Sequence, residues 1–571
     1  MKEKWVVTTK KADFQKTAKD FGVDPVIARV IRNRDITEPE DIRQYLYGTI
    51  KDIPSPWLMK DMEKAAGICE AKIKERKPIR IIGDYDIDGV MSTYILLKGL
   101  RRLGADVDTY IPDRVADGYG IHEHLIRQAK TDGKDTIITC DNGIAAVNEI
   151  AQAKREGMTV IVTDHHEIPF REENGIREYI LPPADAILNP RQKGCSYPNK
   201  NLCGAAVAWK FISALYERAG IPQTELEEFY ELAGFATVGD IMDLKGENRI
   251  LVKEGLKRLP NTKNYGLKAL IRVNGLEHMK ITAYHIGFVL GPCINATGRL
   301  DTAVRALQLL DSGSQDEAER LAGDLKALNE SRKAMTEIGC SRAEEIVEST
   351  ELKNDKVLVV FLPDCHESLA GIIAGRLREK YHRPVFVLTQ GEHGIKGSGR
   401  SVEVYSMFEE MTKCRELLEQ FGGHPMAAGL SLREENVDRF RRRINELCTL
   451  TDQDLIPKVV IDVPVPVSYL TMEFVRQLSL LEPFGKGNTK PLFAQKDLAV
   501  LNMRMIGKNQ NVLKMRLRDK IGTMIDGICF GNVGELYSLA KEKGSISVTY
   551  YPEINCYLGR ESLQIIIQNY F

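Results

Sequence analysis

Short apolar runs alternate with helical patterns between Pro78 and Pro190, and this alternation restricts the fold more than any other feature of the chain. The runs PIRIIG, ADVDTYIP, DTIITC, MTVIVT and ADAILNP have the length of short strands. The segments between them, such as VMSTYILLKGLRRLG, carry apolar residues at helical spacing. Alternating strands and helices predict an α/β fold with a mostly parallel sheet that is covered by helices on both faces.

Carboxylates and imidazoles follow three of these strands at the point where each strand ends. They are Asp84, Asp86 and Asp88 after PIRIIG, Asp141 after DTIITC, and Asp164, His165 and His166 after MTVIVT. In a parallel sheet, ligands bind outside the carboxyl ends of the strands, which share one edge. A single aspartate at a strand end is usually a helix cap or a turn residue. Capping explains one carboxylate of the first group but not three.

Carboxylates that converge on one edge repel one another, and a divalent cation removes this conflict. Aspartate oxygens mixed with imidazole nitrogens suit Mn²⁺, Mg²⁺ or Zn²⁺, and an oxygen-rich set favours Mn²⁺. The carboxylates outnumber what one cation needs. The pattern therefore predicts two divalent cations and phosphoester chemistry.

The remaining segments divide the chain further. Residues 1–75 have helical patterns, with Thr37 as a predicted N-cap and Glu40 three residues later. Residues 315–348 contain no proline and predict one long helix or a helical pair. KVLVVFLP opens a second α/β unit, and short β-rich runs after Pro457 predict a small barrel or sandwich. We expect five segments: 1–75, 76–250, 251–350, 351–455 and 456–571.

Composition excludes some classes of protein. The 571 residues include 79 Lys+Arg and 80 Asp+Glu, so the chain is not a histone-like polycation, although a basic groove can exist on a neutral protein. The 11 cysteines never form a CxxC pair. The first residues lack the apolar core of a signal peptide, and we expect a cytoplasmic protein with no membrane partner.

Ordered motifs resemble one known family. GDYDIDG, TCDNG, TDHHE and VGDIMDL resemble the successive motifs of the DHH phosphoesterase superfamily. GPCINATGRL, GSGRS and FGGHPMAAG resemble later motifs of its RecJ-type exonucleases, and LEPFGKGNTKPLF resembles the motif at their junction with an OB-like domain. The resemblance implies a two-lobed fold. A parallel-sheet DHH domain and a smaller α/β DHH-associated domain would be joined by a long helix, with an OB-like β-barrel at the C-terminal end.

The resemblance also implies roles for individual residues. It implies a metal site made of Asp84, Asp86, Asp141, His165, His166 and Asp240. Asp141 would bridge the two cations, and Asp243 is an alternative to Asp240. Asp88 and Asp164 would support the catalytic site by orienting ligands. His166 is also a candidate catalytic residue. Whether both histidines bind metal, or one of them faces the scissile phosphate, stays open.

Phosphate contacts are implied for a second set of residues. They are Arg114, Arg299, Ser398, Arg400 and His424. His366 is either a functional or a structural histidine. A further basic group, which suits either single-stranded nucleic acid or an ordinary solvated sheet face, consists of Arg504, Lys508, Lys514, Arg516, Arg518 and Lys520.

The implied activity is hydrolysis of single-stranded DNA from its 5′ end to 5′-mononucleotides, in DNA repair and recombination. Implied partners are a DNA strand with a 5′ end and a helicase or single-strand-binding protein. Two alternatives stay open. One is a DHH phosphodiesterase for short oligonucleotides or cyclic dinucleotides, and the other is a non-catalytic DNA-binding replication factor.

Overall fold

The computed structural model describes residues 3–114, 117, 120–173, 176–391, 394–531 and 533–571. These residues form two units. The larger unit contains Trp5–Gly291, Leu307–Glu319 and Val460–Phe571. The smaller unit contains Pro292–Ala306 and Arg320–Val459, together with the start of the chain up to Lys4.

The N-terminal segment is mainly helical, as predicted, but it begins with a strand that the sequence did not indicate. Its elements are β1 (Lys4–Val7), α1 (Phe14–Phe21), α2 (Pro25–Asn33), α3 (Pro39–Tyr47) and α4 (Met62–Lys74). The predicted capping of α3 by Thr37 is wrong. Pro39 occupies the first helical position, so the N-cap is Glu38, and the Glu38 side chain makes no capping hydrogen bond.

Five strands form the predicted parallel sheet, in the spatial order β3-β2-β4-β5-β8. This region contains β2 (Ile79–Ile82), α5 (Ile87–Arg102), β3 (Val107–Tyr110), α6 (Glu123–Thr131), β4 (Thr136–Cys140), α7 (Val147–Arg155), β5 (Thr159–Thr163), β6 (Phe170–Glu173), β7 (Ile176–Tyr179), β8 (Ala186–Leu188), α8 (Gly204–Arg218) and α9 (Glu227–Gly239). Strands β6 and β7 form a separate antiparallel hairpin. All residues of β2 and β4 are buried, as expected for strands covered on both faces.

The register of the sheet aligns the ends of its central strands. Ile82, the last residue of β2, pairs with Thr139, and Cys140, the last residue of β4, pairs with Thr163 at the end of β5. The residues that follow these three strands therefore emerge at one edge, as the sequence predicts.

Helices connect this sheet to the second α/β region. They are α10 (Gly246–Arg258), α11 (Tyr265–Val273), α12 (Ala283–His285) with a π-helical turn at Ile286–Leu290, α13 (Gly291–Leu300), α14 (Val304–Leu310) and α15 (Gln315–Ser349). Helix α15 is one continuous helix, which was one of the two forms predicted, and it runs from the larger unit into the smaller. Among the described residues, no helix combines the length and the apolar character that a membrane span requires.

The smaller unit contains a mixed five-stranded sheet in the order β12-β13-β11-β10-β9. Its elements are β9 (Leu358–Phe361), α16 (Glu367–Tyr381), β10 (Val385–Gly391), β11 (Gly394–Arg400), α17 (Met407–Thr412), β12 (Gln420–His424), β13 (Ala427–Leu432) and α18 (Val437–Glu446). Strands β9 and β10 are parallel, and the other pairs are antiparallel. Two hydrophobic cores lie within this unit, and α16 packs into one of them through Leu369, Ile373 and Leu377.

The C-terminal segment forms a closed five-stranded barrel in the order β15-β16-β17-β19-β18. The segment contains β14 (Lys458–Ile461), α19 (Met472–Gln477), β15 (Phe493–Ile506), β16 (Val512–Arg518), β17 (Met524–Phe530), α20 (Val533–Lys543), β18 (Ser545–Tyr557) and β19 (Arg560–Tyr570). The barrel shares one hydrophobic core with the N-terminal helices, where Ile27, Ile31 and Leu46 belong to the same cluster as Leu498 and Leu513. The first and last parts of the larger unit therefore stabilise each other.

Arg249 of α10 is a buried connector within the larger unit. Its guanidinium donates to the backbone carbonyls of Tyr45 at 2.8 Å, Leu481 at 3.0 Å and Leu480 at 2.9 Å. It also lies 4.1 Å from the centre of the Tyr45 ring. A buried guanidinium is tolerated because all these acceptors compensate for its lost hydration.

We predict that Arg249→Ala destabilises the protein by about 3–5 kcal/mol, because several buried carbonyls lose a charged donor. The midpoint of urea unfolding, followed by circular dichroism, measures this loss. Arg272→Ala is the matched control, since the Arg272 side chain is 55% exposed and makes surface ion pairs. Equal midpoints for the two variants would show that Arg249 does not hold these segments together.

Candidate metal centre

Three aspartates after β2 have different surroundings. Asp86 caps α5, because its Oδ1 accepts from the backbone N–H groups of Asp88 at 2.9 Å and Gly89 at 3.1 Å. Asp88 is fully buried and accepts from Gly204 N at 2.6 Å and Ala205 N at 2.8 Å, so both of its oxygens hold the start of α8. Asp84 is also buried, but its Oδ1 has no hydrogen-bond donor among the described residues. Buried polar atoms normally have a partner, and a cation fits this unpartnered oxygen.

Asp141 enters the same cluster from the end of β4. Its backbone adopts a left-handed conformation with φ of 59°, which aspartate and asparagine tolerate better than most residues. Gly204 lies so close that a Cβ on it would be 2.8 Å from the Asp141 Cβ. Only glycine at position 204 therefore lets α8 approach the carboxylate.

His165 lies among three carboxylates. Its Nε2 is 3.0 Å from Asp141 Oδ1, 3.6 Å from Asp88 Oδ2 and 3.7 Å from Asp240 Oδ2. The ring is buried, and burial lowers the pKa of His165. A neutral imidazole surrounded by carboxylates is the form that ligates metals.

His166 is oriented by Asp164. Its Nδ1 donates to Asp164 Oδ1 at 2.8 Å, since an ionised carboxylate can only accept. Asp164 also accepts from the backbone N–H groups of His165 at 2.7 Å and Ile144 at 2.8 Å. Burial disfavours both the ionised form of Asp164 and the protonated form of His166. The hydrogen bond and the mutual attraction nevertheless lower the pKa of Asp164 to about 2 and, with the nearby Asp240 and Asp88 carboxylates, raise the pKa of His166 to about 9.

The structure brings Asp240 to the cluster, while Asp243 lies elsewhere. Asp240 follows α9 and reaches His165, whereas Asp243 Oδ1 faces Lys486 Nζ at 3.8 Å. Ile241, between them, has a left-handed backbone with φ of 54° and a 66% exposed side chain. A β-branched residue in this conformation is strained, and the turn it makes directs Asp240 inward.

The donor atoms form three overlapping sets. Within each set the ligand atoms lie within 4.8 Å of one another, and the sets are Asp84, Asp86 and Asp141; Asp141, His165 and His166; and Asp88, His165 and Asp240. The structure thus brings together all six residues of the predicted metal site, with Asp88 beside them. Asp141 belongs to two sets, which is the arrangement a bridging carboxylate needs.

Burial and mutual repulsion make this cluster electrostatically unfavourable when no cation is bound. Burial, followed by the charge of Asp86, raises the pKa of Asp84 to about 8. Burial, followed by the charge of Asp88, raises the pKa of Asp240 to about 8. The pKa values of Asp86 and Asp141 are raised for the same reasons. A divalent cation would remove the repulsion and allow all four carboxylates to ionise.

Sequence reasoning missed two residues whose side chains donate hydrogen bonds to the backbone of the two histidines. Asn189 Nδ2 donates to the carbonyl of His166 at 3.0 Å, and Arg191 Nε donates to the carbonyl of His165 at 2.9 Å. Both follow β8, the fifth strand of the sheet. The rule that located the aspartates, namely polar residues directly after a strand, also applies to this NPR segment.

Arg114 lies beside the cluster. Its guanidinium is 5.0 Å from the ring centre of Tyr85, the residue between Asp84 and Asp86. The positively charged guanidinium of Arg114 therefore lies within the electrostatic field of the carboxylates, at the rim of the candidate metal site.

The other four predicted phosphate contacts lie within the smaller unit, and Arg299, Ser398 and Arg400 lie near the N-terminal part of α16. Arg299 Nη1 donates to Ser368 O at 2.7 Å. Arg400 Nη2 would lie 2.9 Å from a Cβ added at Gly371, and Ser398 Cβ would lie 3.5 Å from it. His424 joins them through the sheet register, because His424 and Arg400 both pair with Ala427 and side chains of paired residues share a face.

His366 is the N-cap of α16, where its Nδ1 accepts from Ser368 N at 3.3 Å. The structure thus gives this histidine a helix-capping contact. The helix N-terminus it caps adds backbone donors next to Arg299 and Arg400, a combination that suits a phosphate.

Half of the predicted basic group on the barrel is paired with aspartates. Lys514 and Arg516 both contact Asp526, at 3.2 and 2.7 Å, and Lys520 contacts Asp497 at 2.9 Å. Lys514 and Arg516 lie on the outward side of β16. The residues that alternate with them, Leu513, Met515 and Leu517, are buried. The aspartates reduce the positive potential of this face, so it is less basic than the sequence suggests.

Comparison with known proteins places this geometry in a family. Family models match residues 78–239 (DHH family, N-terminal domain), 354–450 (DHHA1 domain) and 461–569 (RecJ OB domain). The chain is 37% identical to the single-stranded-DNA-specific exonuclease RecJ of Bacillus subtilis (strain 168), over 100% of this chain and 71% of that protein. It is 33% identical to the protein of the same name from Escherichia coli (strain K12), over 95% of each chain.

A solved structure agrees with these matches. RecJ from Thermus thermophilus in complex with Mn²⁺ superimposes with a TM-score of 0.84 and 29% identity, covering 100% of this chain and 79% of that chain. The predicted architecture of DHH, DHH-associated and OB domains is confirmed. The order of these three domains and the similarity along the whole chain show that the chain belongs to the RecJ family of single-stranded-DNA-specific exonucleases.

Proposed function

We propose that this protein hydrolyses single-stranded DNA from the 5′ end and releases 5′-mononucleotides, using two divalent cations. The observation that carries the proposal is the buried cluster in which three donor sets overlap at Asp141 and His165. Family membership supports the substrate class. The Thermus thermophilus relatives solved with Mn²⁺ and with Mg²⁺ support the choice of cation.

The metal ligands in this proposal are Asp84, Asp86, Asp141, His165, His166 and Asp240. Cations bound there would supply positive charge to the scissile phosphate and lower the pKa of an attacking water. Asp88 acts through position, since its two oxygens hold the first turn of α8 against the cluster. Asp164 acts through position as well, since it fixes the ring plane and the Nδ1 proton of His166.

The two histidines have different exposure. The His165 side chain is 9% exposed and lies inside the cluster, whereas the His166 side chain is 42% exposed. In the proposal, His165 is therefore an inner ligand. His166 faces the side from which a phosphate arrives, with its Nδ1 proton held by Asp164.

The 5′ polarity requires recognition of a strand end, because a pair of cations alone does not distinguish the two directions. Arg299, Ser398 and Arg400 surround one helix N-terminus in the smaller unit and would hold a terminal phosphate. Arg114 and His424 would contact other phosphates. A helicase would fit as a partner that supplies separated strands for DNA repair and recombination, and a single-strand-binding protein as one that covers them.

Digestion of strands labelled at either end tests the proposed function directly. With Mn²⁺ or Mg²⁺, we expect mononucleotides to appear first from the 5′ end of single strands, with little product from duplexes and none with a chelator. Rapid cleavage of a dinucleotide but not of a long strand would favour a small-substrate phosphodiesterase instead. Binding without cleavage would favour a non-catalytic factor.

We predict that Asp141→Asn lowers the initial rate by more than about 100-fold, because losing a metal ligand costs more than losing a group that only orients one. Asparagine tolerates the left-handed backbone, so the fold is kept. The metal-free variant should melt at a higher temperature than metal-free wild type, since one buried repelling charge is gone. Asp311→Asn, at a surface ion pair with Arg101, is the control. A near wild-type rate for Asp141→Asn would remove Asp141 from the metal site.

We predict that the metal-free protein loses stability as the pH rises from about 4 to about 8. The pKa of Asp84 and of Asp240 is about 8 in the folded protein, above the value of about 4 in an unfolded chain. The folded state thus binds more protons in this window, and its advantage disappears as these protons leave. Mn²⁺ binds the ionised form, so the gain in melting temperature from Mn²⁺ should be larger at pH 8 than at pH 6.

Differential scanning fluorimetry with chelator and with Mn²⁺ measures this pH dependence. Asp84→Asn/Asp240→Asn is the matched variant and should show a flatter pH dependence in chelator. A Mn²⁺ effect that is the same at both pH values would contradict the electrostatic account of the cluster.

We predict that Arg400→Ala narrows the rate difference between 5′-phosphorylated and 5′-hydroxyl strands. A charge-assisted hydrogen bond contributes about 1.5–3 kcal/mol, so the phosphorylated strand should slow by roughly 10- to 100-fold. Arg433→Ala, an exposed arginine of the same unit paired with Glu419, is the control. Equal slowing of both strands would show that Arg400 does not recognise the terminal phosphate.

A further inference from the structure

Two aromatic rings at the π-helical turn Ile286–Leu290 face solvent. The ring centres of Tyr284 and Phe288 are 4.9 Å apart, and their planes differ by 26°. The residues are 64% and 65% exposed, although aromatic side chains usually stabilise a protein by being buried. Adjacent exposed rings of this kind indicate a binding surface for a flat apolar group.

This turn packs against the elements that build the metal cluster. A Cβ added at Gly287 would lie 4.0 Å from Val238 Cγ1, two residues before Asp240. A Cβ added at Gly291, directly after the turn, would lie 3.1 Å from Cδ1 of Ile87, the first residue of α5. The exposed rings are therefore carried by a segment that contacts both α9 and α5 beside the cluster.

Local contacts fix the segment in place. The Thr282 backbone N–H donates to His285 Nδ1 at 3.0 Å, and the two side chains form a reciprocal cap at the start of the helix. The Tyr284 ring also meets the His285 ring edge-on at 5.8 Å. π-Helical turns within helices occur frequently at functional sites.

The chemistry of the patch suits a base and not a phosphate. Stacking on an aromatic face accepts all four bases, because each base has a π face. An enzyme that degrades strands of any sequence needs contacts of this tolerant kind.

We propose that Tyr284 and Phe288 form a stacking platform for a nucleobase of the DNA strand whose phosphates lie at the metal cluster. This inference rests on the proposed exonuclease function and adds the group that the enzyme recognises near the cations. A purely structural role for the pair is the competing explanation, since aromatic residues four apart also stabilise a helix.

The test compares strands with and without bases. The double variant Tyr284→Ala/Phe288→Ala and the control Tyr265→Ala, which truncates a 45% exposed tyrosine on α11, are assayed with Mn²⁺. The substrates are a short 5′-phosphorylated oligothymidylate and the same strand with abasic 5′-terminal nucleotides. For the double variant we expect KM on the normal strand to rise about 10-fold with little change in kcat, and KM on the abasic strand to stay at the wild-type value. Tyr284→Phe should behave as wild type.

Binding measured without turnover separates this proposal from the proposed function. Fluorescence anisotropy in the Asp141→Asn background should show that the platform variant binds the normal strand about 10-fold more weakly and no longer distinguishes it from the abasic strand. If the wild-type protein binds the normal strand more tightly than the abasic strand but cleaves neither, the proposed exonuclease function would be wrong and the stacking platform would still be supported. Equal losses on both strands, or no loss at all, would overturn the platform.

Discussion

Repulsion among buried and half-buried carboxylates is the constraint around which the larger unit is organised. Asp84, Asp86, Asp141 and Asp240 converge at one sheet edge, and burial together with mutual repulsion raises the pKa of each. Folding alone would not keep such a group together, because hydrophobic residues of similar size would be more stable there. The repulsion in the cluster therefore has to be offset by the rest of the fold, and divalent cations bound there would neutralise it.

Rigid neighbours keep the ligands in place against this repulsion. Asp88 ties the start of α8 to the cluster, and Gly204 lets that helix come within contact of Asp141. Asp164 serves both histidines at once, through the backbone of His165 and the ring of His166. Because these contacts come from loops that follow different strands, no single loop determines the geometry. This arrangement provides the preorganisation that metal-assisted hydrolysis needs.

The sequence predicts the parallel sheet and the metal residues for the same reason. Strand runs are easy to recognise, and a polar residue directly after such a run lies at the carboxyl edge whatever the details of the loop. Asp240 follows a helix, so its place came only from family resemblance. The cap of α3 was misplaced because Pro39 fixed the helix start one residue later than the Thr37 pattern indicated. Asn189 and Arg191 follow β8 directly, so the same rule applies to them. The ion pairs of the barrel depend on tertiary contacts between different segments, which no local pattern encodes.

The C-terminal segment also takes part in positioning the ligands. Leu244 N donates to Lys486 O at 2.8 Å, and a Cβ added at Gly487 would lie 3.1 Å from Asp243 Cβ. The turn before the barrel therefore holds the loop that begins at Asp240. Arg249, five residues after Leu244, binds the carbonyls of Leu480 and Leu481 and the backbone of Tyr45. The barrel in turn shares its core with the N-terminal helices. Asp240, at the end of α9, is thus held by contacts with both the N-terminal and the C-terminal segments. The barrel therefore helps to position Asp240, since loosening it would release the strained turn at Ile241 and with it the Asp240 carboxylate.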